Sequence, residues 1–207
     1  MRPKVFIVGG DLLVSRMFMD NNWFVTNSPE DADLIQFTGG EDVSPMLYGE
    51  VKHPRTGCNP MRDQKESDVF LQFYQKPKAG ICRGGQFLNV MSGGFMHQDV
   101  DNHAIAGTHE ATYDDGRTFQ VTSTHHQMME NPGFSEKVFL TTNLATFKEA
   151  GDGVDNKNLW PVDVEGVFYE HSSSLCFQPH PEYTDPEHEC QQLYFEVLKR
   201  FYDLEVS

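Results

Sequence analysis

At 207 residues, with 38% hydrophobic and 23% charged side chains, the chain has enough apolar material for one core and the polarity of a soluble globular protein. Its formal charge of −15 argues against a nucleic-acid-binding surface, because a polyanion is repelled where no basic patch stands out. No stretch approaches the ~20 apolar residues of a membrane span, and the apolar run at residues 5–8 is too short for a signal peptide, so a cytoplasmic, single-domain protein over residues 1–207 is expected.

Residues 4–8 read as a buried parallel strand that ends on Gly9-Gly10, with Asp11 placed to cap a helix over residues 12–19. The glycine pair invites a dinucleotide-binding reading, but the third glycine of that fingerprint is missing and no cofactor is assigned there. Trp23, Phe24 and Val25 form a second short strand and residues 32–38 a third. Strands separated by helices predict a parallel sheet with helices on both faces. The third strand ends on Gly39-Gly40, at the carboxyl edge where open α/β sheets place their sites; glycine there lets a backbone N–H come close to a ligand. Residues 43–66 carry Pro45, Gly49, Pro54, Gly57 and Pro60 and are too long for a plain connector, which suits a cover over the site. Residues 62–74 read as an amphipathic helix whose charges form a solvated face.

Residues 78–90 pass from a short strand through a small-residue turn into an apolar-periodic helix, presenting Cys82 near the helix N-terminus. Gly80 and Gly84 remove the Cβ atoms that would collide where strand and helix backbones cross. A thiol of ordinary pKa is only ~3% ionised at pH 7, so a nucleophilic Cys82 requires the partial positive charge of the helix end and an imidazole partner. Cys58, Cys176 and Cys190 are scattered, without a CxxC pair, and read as free thiols.

Beyond Ser92-Gly93-Gly94 a β-rich middle begins, in which residues 119–123 alternate as a strand and deliver His125-His126-Gln127 to its end. Neighbouring histidines face opposite ways in an extended chain, and no cysteine or carboxylate cluster stands at ligand spacing around them; no metal site is assigned. Residues 131–170 are the least legible, with strands over 138–141 and 166–170 and a turn at Gly151-Asp152-Gly153. Gln178 and His180 each precede a proline and are expected to be extended, which puts Glu182 on the same side as His180, positioned to orient the imidazole. With Cys82 they make a nucleophile, base and orienter set. Residues 186–202 close the chain as a helix capped by Asp185, with Leu193, Val197, Leu198 and Phe201 on one face.

Gly80-x-Cys82-x-Gly84-x-Gln86 with His180-x-Glu182 resembles the class I glutamine amidotransferase superfamily, whose members carry a Cys-His-Glu triad on a flavodoxin-like α/β fold. Further motifs resemble its γ-glutamyl hydrolase branch, the γ-glutamyl-γ-aminobutyrate hydrolase-like proteins. These are Gly39-Gly40-Glu41-Asp42-Val43-Ser44-Pro45-Met46-Leu47-Tyr48-Gly49, Arg62-Asp63, Gly93-Gly94 with His97-Gln98-Asp99, and Ser123-Thr124-His125-His126-Gln127. Thr38 and Thr122 depart from the proline and asparagine common at those places. The resemblance implies a three-layer fold with a mainly parallel central sheet and helices on both faces. It implies hydrolysis of a γ-glutamyl amide through a thioester on Cys82, with His180 and Glu182 completing the triad. Gly40 and Arg83 N–H groups would form the oxyanion hole, and Gln86, Ser123, His126 and Gln127 would contact substrate. The expected partner is a small γ-glutamyl compound or glutamine, with no metal or organic cofactor required. The alternative is a glutaminase subunit that supplies ammonia to a separate synthetase or ligase; a binding protein on the same fold is a more distant third.

Overall fold

The computed structural model describes residues 2–130, 136–159 and 161–204. In chain order they form β1 (Lys4–Ile7), α1 (Leu12–Asp20), β2 (Phe24–Thr26), β3 (Leu34–Phe37), a 3-10 turn (Pro45–Tyr48), α2 (Pro60–Gln72), β4 (Lys78–Ile81) and α3 (Arg83–Met91). There follow β5 (Met96–His97), β6 (Asp99–Val100), β7 (Ala104–Tyr113), β8 (Thr118–Thr124), β9 (Met128–Met129), β10 (Lys137–Thr142), β11 (Lys148–Glu149), β12 (Asp163–Tyr169), β13 (Ser174–Phe177), a second 3-10 turn (Pro181–Tyr183) and α4 (Glu189–Tyr202).

The main sheet runs β2-β1-β3-β4-β13-β12-β10-β7-β8. Its first five strands are parallel, and the remaining four extend it antiparallel. Alternation along each parallel strand sends side chains to two different cores. Leu34, Leu175 and Phe177 pack with Phe18 of α1 and Leu193, Tyr194 and Val197 of α4. Ile35, Phe37 and Cys176 pack on the other face with Phe70 of α2 and Phe87 and Leu88 of α3. The result is the flavodoxin-like layering of helices on both faces of a mixed, mainly parallel sheet. Among the described residues no helix is long and apolar enough to cross a membrane.

Asp11 caps α1 as expected, its carboxylate accepting from Val14 N–H at 2.9 Å. Asp185 does not cap α4. Its carbonyl accepts from His188 N–H in a turn that delays the helix, and His188 Nδ1 takes the capping role by accepting from Cys190 N–H at 3.1 Å. The charges of α2 are not all solvated: Asp63 and Glu66 are buried. Of the poorly legible stretch, residues 131–135 and 160 lie outside the described residues, and the two strands expected there are present as β10 and β12.

Candidate active site

Three neighbouring parallel strands place the expected site residues together. β3 exits into Gly39-Gly40, β4 into Cys82, and β13 into Gln178 and His180, and the registers Phe37↔Gly80 and Cys176↔Gly80 align these exits at one sheet edge. Adjacent strands are ~4.8 Å apart, so the three loops lie within side-chain reach of each other.

The elbow is tight. A Cβ on Gly80 would overlap the backbone of Gly84, and one on Gly84 would come within 2.5 Å of the Phe37 carbonyl oxygen. Cys82 itself sits at φ 48°, ψ −114°, a conformation rare for a residue with a Cβ. It is held there because its N–H donates to the Phe177 carbonyl at 2.8 Å while its own carbonyl accepts from Gln86 N–H at 2.9 Å. Its side chain stands at the start of α3, whose first N–H groups have no acceptor within the helix.

His180 bridges the other two expected partners. Its Nδ1–H donates to Glu182 Oε1 at 2.6 Å, and its remaining side-chain partner is the Cys82 thiol. The expected extended run does not continue through Glu182. Residues Pro181–Tyr183 turn instead, and the turn folds the carboxylate back onto the ring. Two contacts not foreseen from sequence fix the imidazole further: Tyr183 stacks on it with ring centroids 4.4 Å apart, and Thr122 Oγ1 accepts from His180 N–H at 2.7 Å. Burial would lower the His180 pKa, but hydrogen bonds to Cys82 and Glu182 outweigh it and raise the group from 6.5 to about 10. The imidazolium therefore stabilises the fold fully below pH 6.5, and that contribution is lost as pH rises through about 10.

Gly39 lies directly against this ring, since a Cβ there would stand 2.8 Å from His180 Cε1. Gly40 has φ 139°, and its missing Cβ leaves room for the Arg62 guanidinium. Arg62 fastens the whole loop, donating to the carbonyls of Thr38 and Gly39, both at 3.0 Å, and to Glu41 Oε2 at 3.0 Å. Its Nε donates to Glu66 at 2.8 Å. Glu66 also takes the Arg83 side chain, together with Asp63, and the Arg83 guanidinium lies 5.0 Å over the Phe87 ring. Burial first, then the nearby Arg62 charge, pulls Arg83 down to about 10 against the opposing pull of Asp63. The Arg62-Asp63 motif was visible in the sequence, and the three-residue step from Asp63 to Glu66, which puts both on one helix face, was the available signal for a buried partner. A cleft of about 820 Å³ opens beyond Gly39, walled by the Gly9-Gly10-Asp11 turn, Thr38, Glu41 and Arg62.

The four expected substrate contacts are distributed unevenly. Gln86 is buried and donates to the Gln127 carbonyl at 2.9 Å and to Gln178 Oε1 at 3.1 Å. Gln127 is also buried, donating to Thr56 Oγ1 at 2.9 Å. Ser123 is fully buried and turned away, its hydroxyl bonded to the His103 carbonyl. His126 keeps a 37% exposed side chain, held between Asp42 at 3.3 Å and Asp99 at 3.6 Å. Hydrogen bonding to Asp42 leads the causes that raise its pKa. The long segment after Val43 covers this corner, and Gln98 anchors it by accepting from His53 N–H at 2.9 Å and donating to the Val51 carbonyl at 2.9 Å. Two sets of described side chains have donor atoms close enough to share a metal ion, His103/His109/Glu165 and His53/Asp99/Glu149. Neither includes Cys82 or His180.

This architecture is that of the class I glutamine amidotransferase-like proteins. The sequence profile of the peptidase C26 family matches residues 18–144, and the chain belongs to that family. It is 32% identical over 179 residues to the glutamine amidotransferase-like protein YvdE of Lactococcus lactis, covering 80% of this chain and 72% of that one. Among solved structures it resembles one described as a GMP synthase subunit from Thermoplasma acidophilum, with TM-score 0.65, 14% identity, and coverage of 99% of this chain and 94% of that one. It likewise resembles a glutamine amidotransferase from Thermotoga maritima, with TM-score 0.64, 14% identity, and coverage of 98% and 99%. At that identity the two structures speak for the fold.

Proposed function

We propose that this protein is a cysteine-nucleophile hydrolase of γ-glutamyl amide bonds. The observation that carries the reading is a single buried ring, His180, in contact with both the Cys82 thiol and the Glu182 carboxylate at the carboxyl edge of the sheet. Cys82 thiolate attacks the γ-carbonyl carbon, and the N–H groups of Gly40 and Arg83 hold the resulting oxyanion. His180 then gives its Nε2 proton to the departing amine, the C–N bond breaks, and a γ-glutamyl thioester remains. In the second half His180 takes a proton from water, the hydroxide displaces Cys82, and glutamate leaves. Glu182 holds the imidazole and stabilises its charged form. Of the four substrate-contact candidates, His126 retains the exposure for direct contact; Gln86 and Gln127 shape the wall behind it, while Ser123 faces away from the site.

The second reading, a glutaminase subunit feeding ammonia to a partner, is supported by the likeness to a structure described as part of a synthase. The two differ at the leaving-group side. A stand-alone hydrolase accepts amines larger than ammonia and works alone, whereas an ammonia supplier is slow until a partner completes its site. Assay of the purified protein against glutamine and a panel of γ-glutamyl amines, with amine release measured, is expected to show turnover of the larger amides without any partner. Turnover of glutamine alone, rising sharply on addition of a companion ligase, would favour the ammonia supplier.

Thiol reactivity gives an independent check. Iodoacetamide is expected to modify Cys82 first, because its thiol stands at the start of α3 beside His180. Cys176 and Cys190, whose thiols burial pushes up, the second to about 12, should lag far behind. Peptide mapping that finds equal rates at all four cysteines would remove the case for an activated nucleophile.

A further inference from the structure

Side chains of β8 alternate between two environments. Thr122 faces the His180 loop, while Ser123 turns into a pocket of buried polar groups on the opposite face. At the centre of that pocket is Glu165, fully buried on β12. Its Oε1 stands 3.3 Å from His103 Nδ1, 3.4 Å from His109 Nε2 and 3.8 Å from His125 Nε2.

The second nitrogen of each ring is already committed. His103 Nε2 meets Asp163 Oδ2 at 3.1 Å, His109 Nδ1 meets the Glu110 carbonyl at 3.1 Å, and His125 Nδ1 meets the Gln127 carbonyl at 2.8 Å. Carbonyls and ionised carboxylates only accept, so these nitrogens carry the ring protons. In neutral imidazoles, the nitrogens aimed at Glu165 are then lone-pair atoms. Three lone pairs converging on a carboxylate repel unless positive charge lies among them. His109 Nε2, His125 Nε2 and both Glu165 oxygens are buried without a hydrogen-bond partner.

Protons or a metal ion could supply that charge, and the distances choose between them. Charge-assisted N–H···O bonds close to ~2.7–2.9 Å. Ligand bonds of ~2.0–2.2 Å at tetrahedral angles instead set donor atoms ~3.3–3.6 Å apart, which is the spacing that His103 and His109 keep from Glu165. An imidazole ligand that gives its other N–H to a carboxylate or carbonyl is also the usual second layer of a metal centre.

We propose that His103, His109 and Glu165 bind one zinc ion in this buried pocket. The ligand set is buried and includes neither Cys82 nor His180, so the ion serves the fold rather than the thiol chemistry. It ties the β7–β8 hairpin to β12.

The test uses full-length protein expressed with zinc in the medium and desalted before elemental analysis. About one zinc per chain is expected, both in the unaltered protein and in Cys82→Ser, with loss in His109→Ala and Glu165→Gln. Stripping with a strong chelator should lower the Tm by ~10 °C, and one equivalent of zinc should restore it. Cobalt substituted for zinc should give the visible bands of a tetrahedral nitrogen–oxygen site without thiolate charge transfer. This holds whether or not the ligand variants fold. Less than ~0.1 zinc per chain together with a Tm indifferent to zinc would overturn the proposal. So would metal that disappears in Cys82→Ser, or a cobalt spectrum with thiolate bands, since either places the ion at the other histidine.

Discussion

Cys82→Ala should fold as the unaltered chain does while losing about 10⁴-fold or more of its turnover, the scale seen when a covalent nucleophile is removed. Alanine keeps the Cβ, so the strain at φ 48° is unchanged, and removal of one mostly buried sulfur costs about 1 kcal/mol. Cys82→Gly makes a sharper companion. A non-glycine residue in this region costs roughly 1–3 kcal/mol, against the ~0.5–1 kcal/mol that glycine adds to the entropy of the unfolded chain. The glycine variant should therefore be equally inactive but about 1 kcal/mol more stable, with a Tm higher by ~2–4 °C. That outcome would mean the fold holds a destabilising backbone conformation in order to present a thiol. Full activity in folded Cys82→Ala would end the covalent mechanism, and a glycine variant melting below the alanine one would show that the conformation is not strained.

The elbow was legible from sequence because its cause is local. Gly80 and Gly84 are glycines for want of space within a few residues of Cys82, and the prolines around His180 restrict its neighbours in the same short-range way. The parallel half of the sheet was legible through the alternation of apolar strands and helices. β7 was not, because its buried positions begin only at His109 and continue at Ala111 and Tyr113, with Ala104 through Thr108 largely exposed; there is no apolar alternation to read. The meaning of buried charge was hidden for a different reason. Asp63 and Glu66 sit on a helix of strongly polar composition, and the partner that takes them into the core, Arg83, belongs to the next helix. Likewise the three histidines around Glu165 come from one end of β7, its middle and the far end of β8. Pattern within a window finds faces of elements, and sites assembled across elements leave little trace in it.

The Arg83 network carries the second large effect. Arg83, Asp63 and Glu66 have side chains no more than 4% exposed, and Glu66 is shared with Arg62. Glu66→Gln keeps the volume and removes the charge, leaving two guanidinium groups in proximity with one buried carboxylate and the half-exposed Glu41. Loss of one partner from a buried ion pair costs about 3–5 kcal/mol because the remaining charge stays desolvated. The Tm should fall by ~10 °C for a chain of this size, whereas Lys65→Gln, on the solvent side of the same helix, should change it by little. A second consequence follows from what Arg62 holds. Released from Glu66, it no longer fixes the Thr38 and Gly39 carbonyls, and the Gly40 N–H, proposed with that of Arg83 to hold the oxyanion, loses its defined position. At a temperature where Glu66→Gln is still folded, kcat should drop about 10- to 100-fold through the weakened oxyanion contact, while iodoacetamide modification of Cys82, which needs no oxyanion hole, stays close to normal. Stability within 1 kcal/mol of the unaltered protein would mean that water or a rearranged Asp63 replaces Glu66 at no cost. Reduced turnover accompanied by equally reduced alkylation would move the defect from the oxyanion loop to the Cys82–His180 pair.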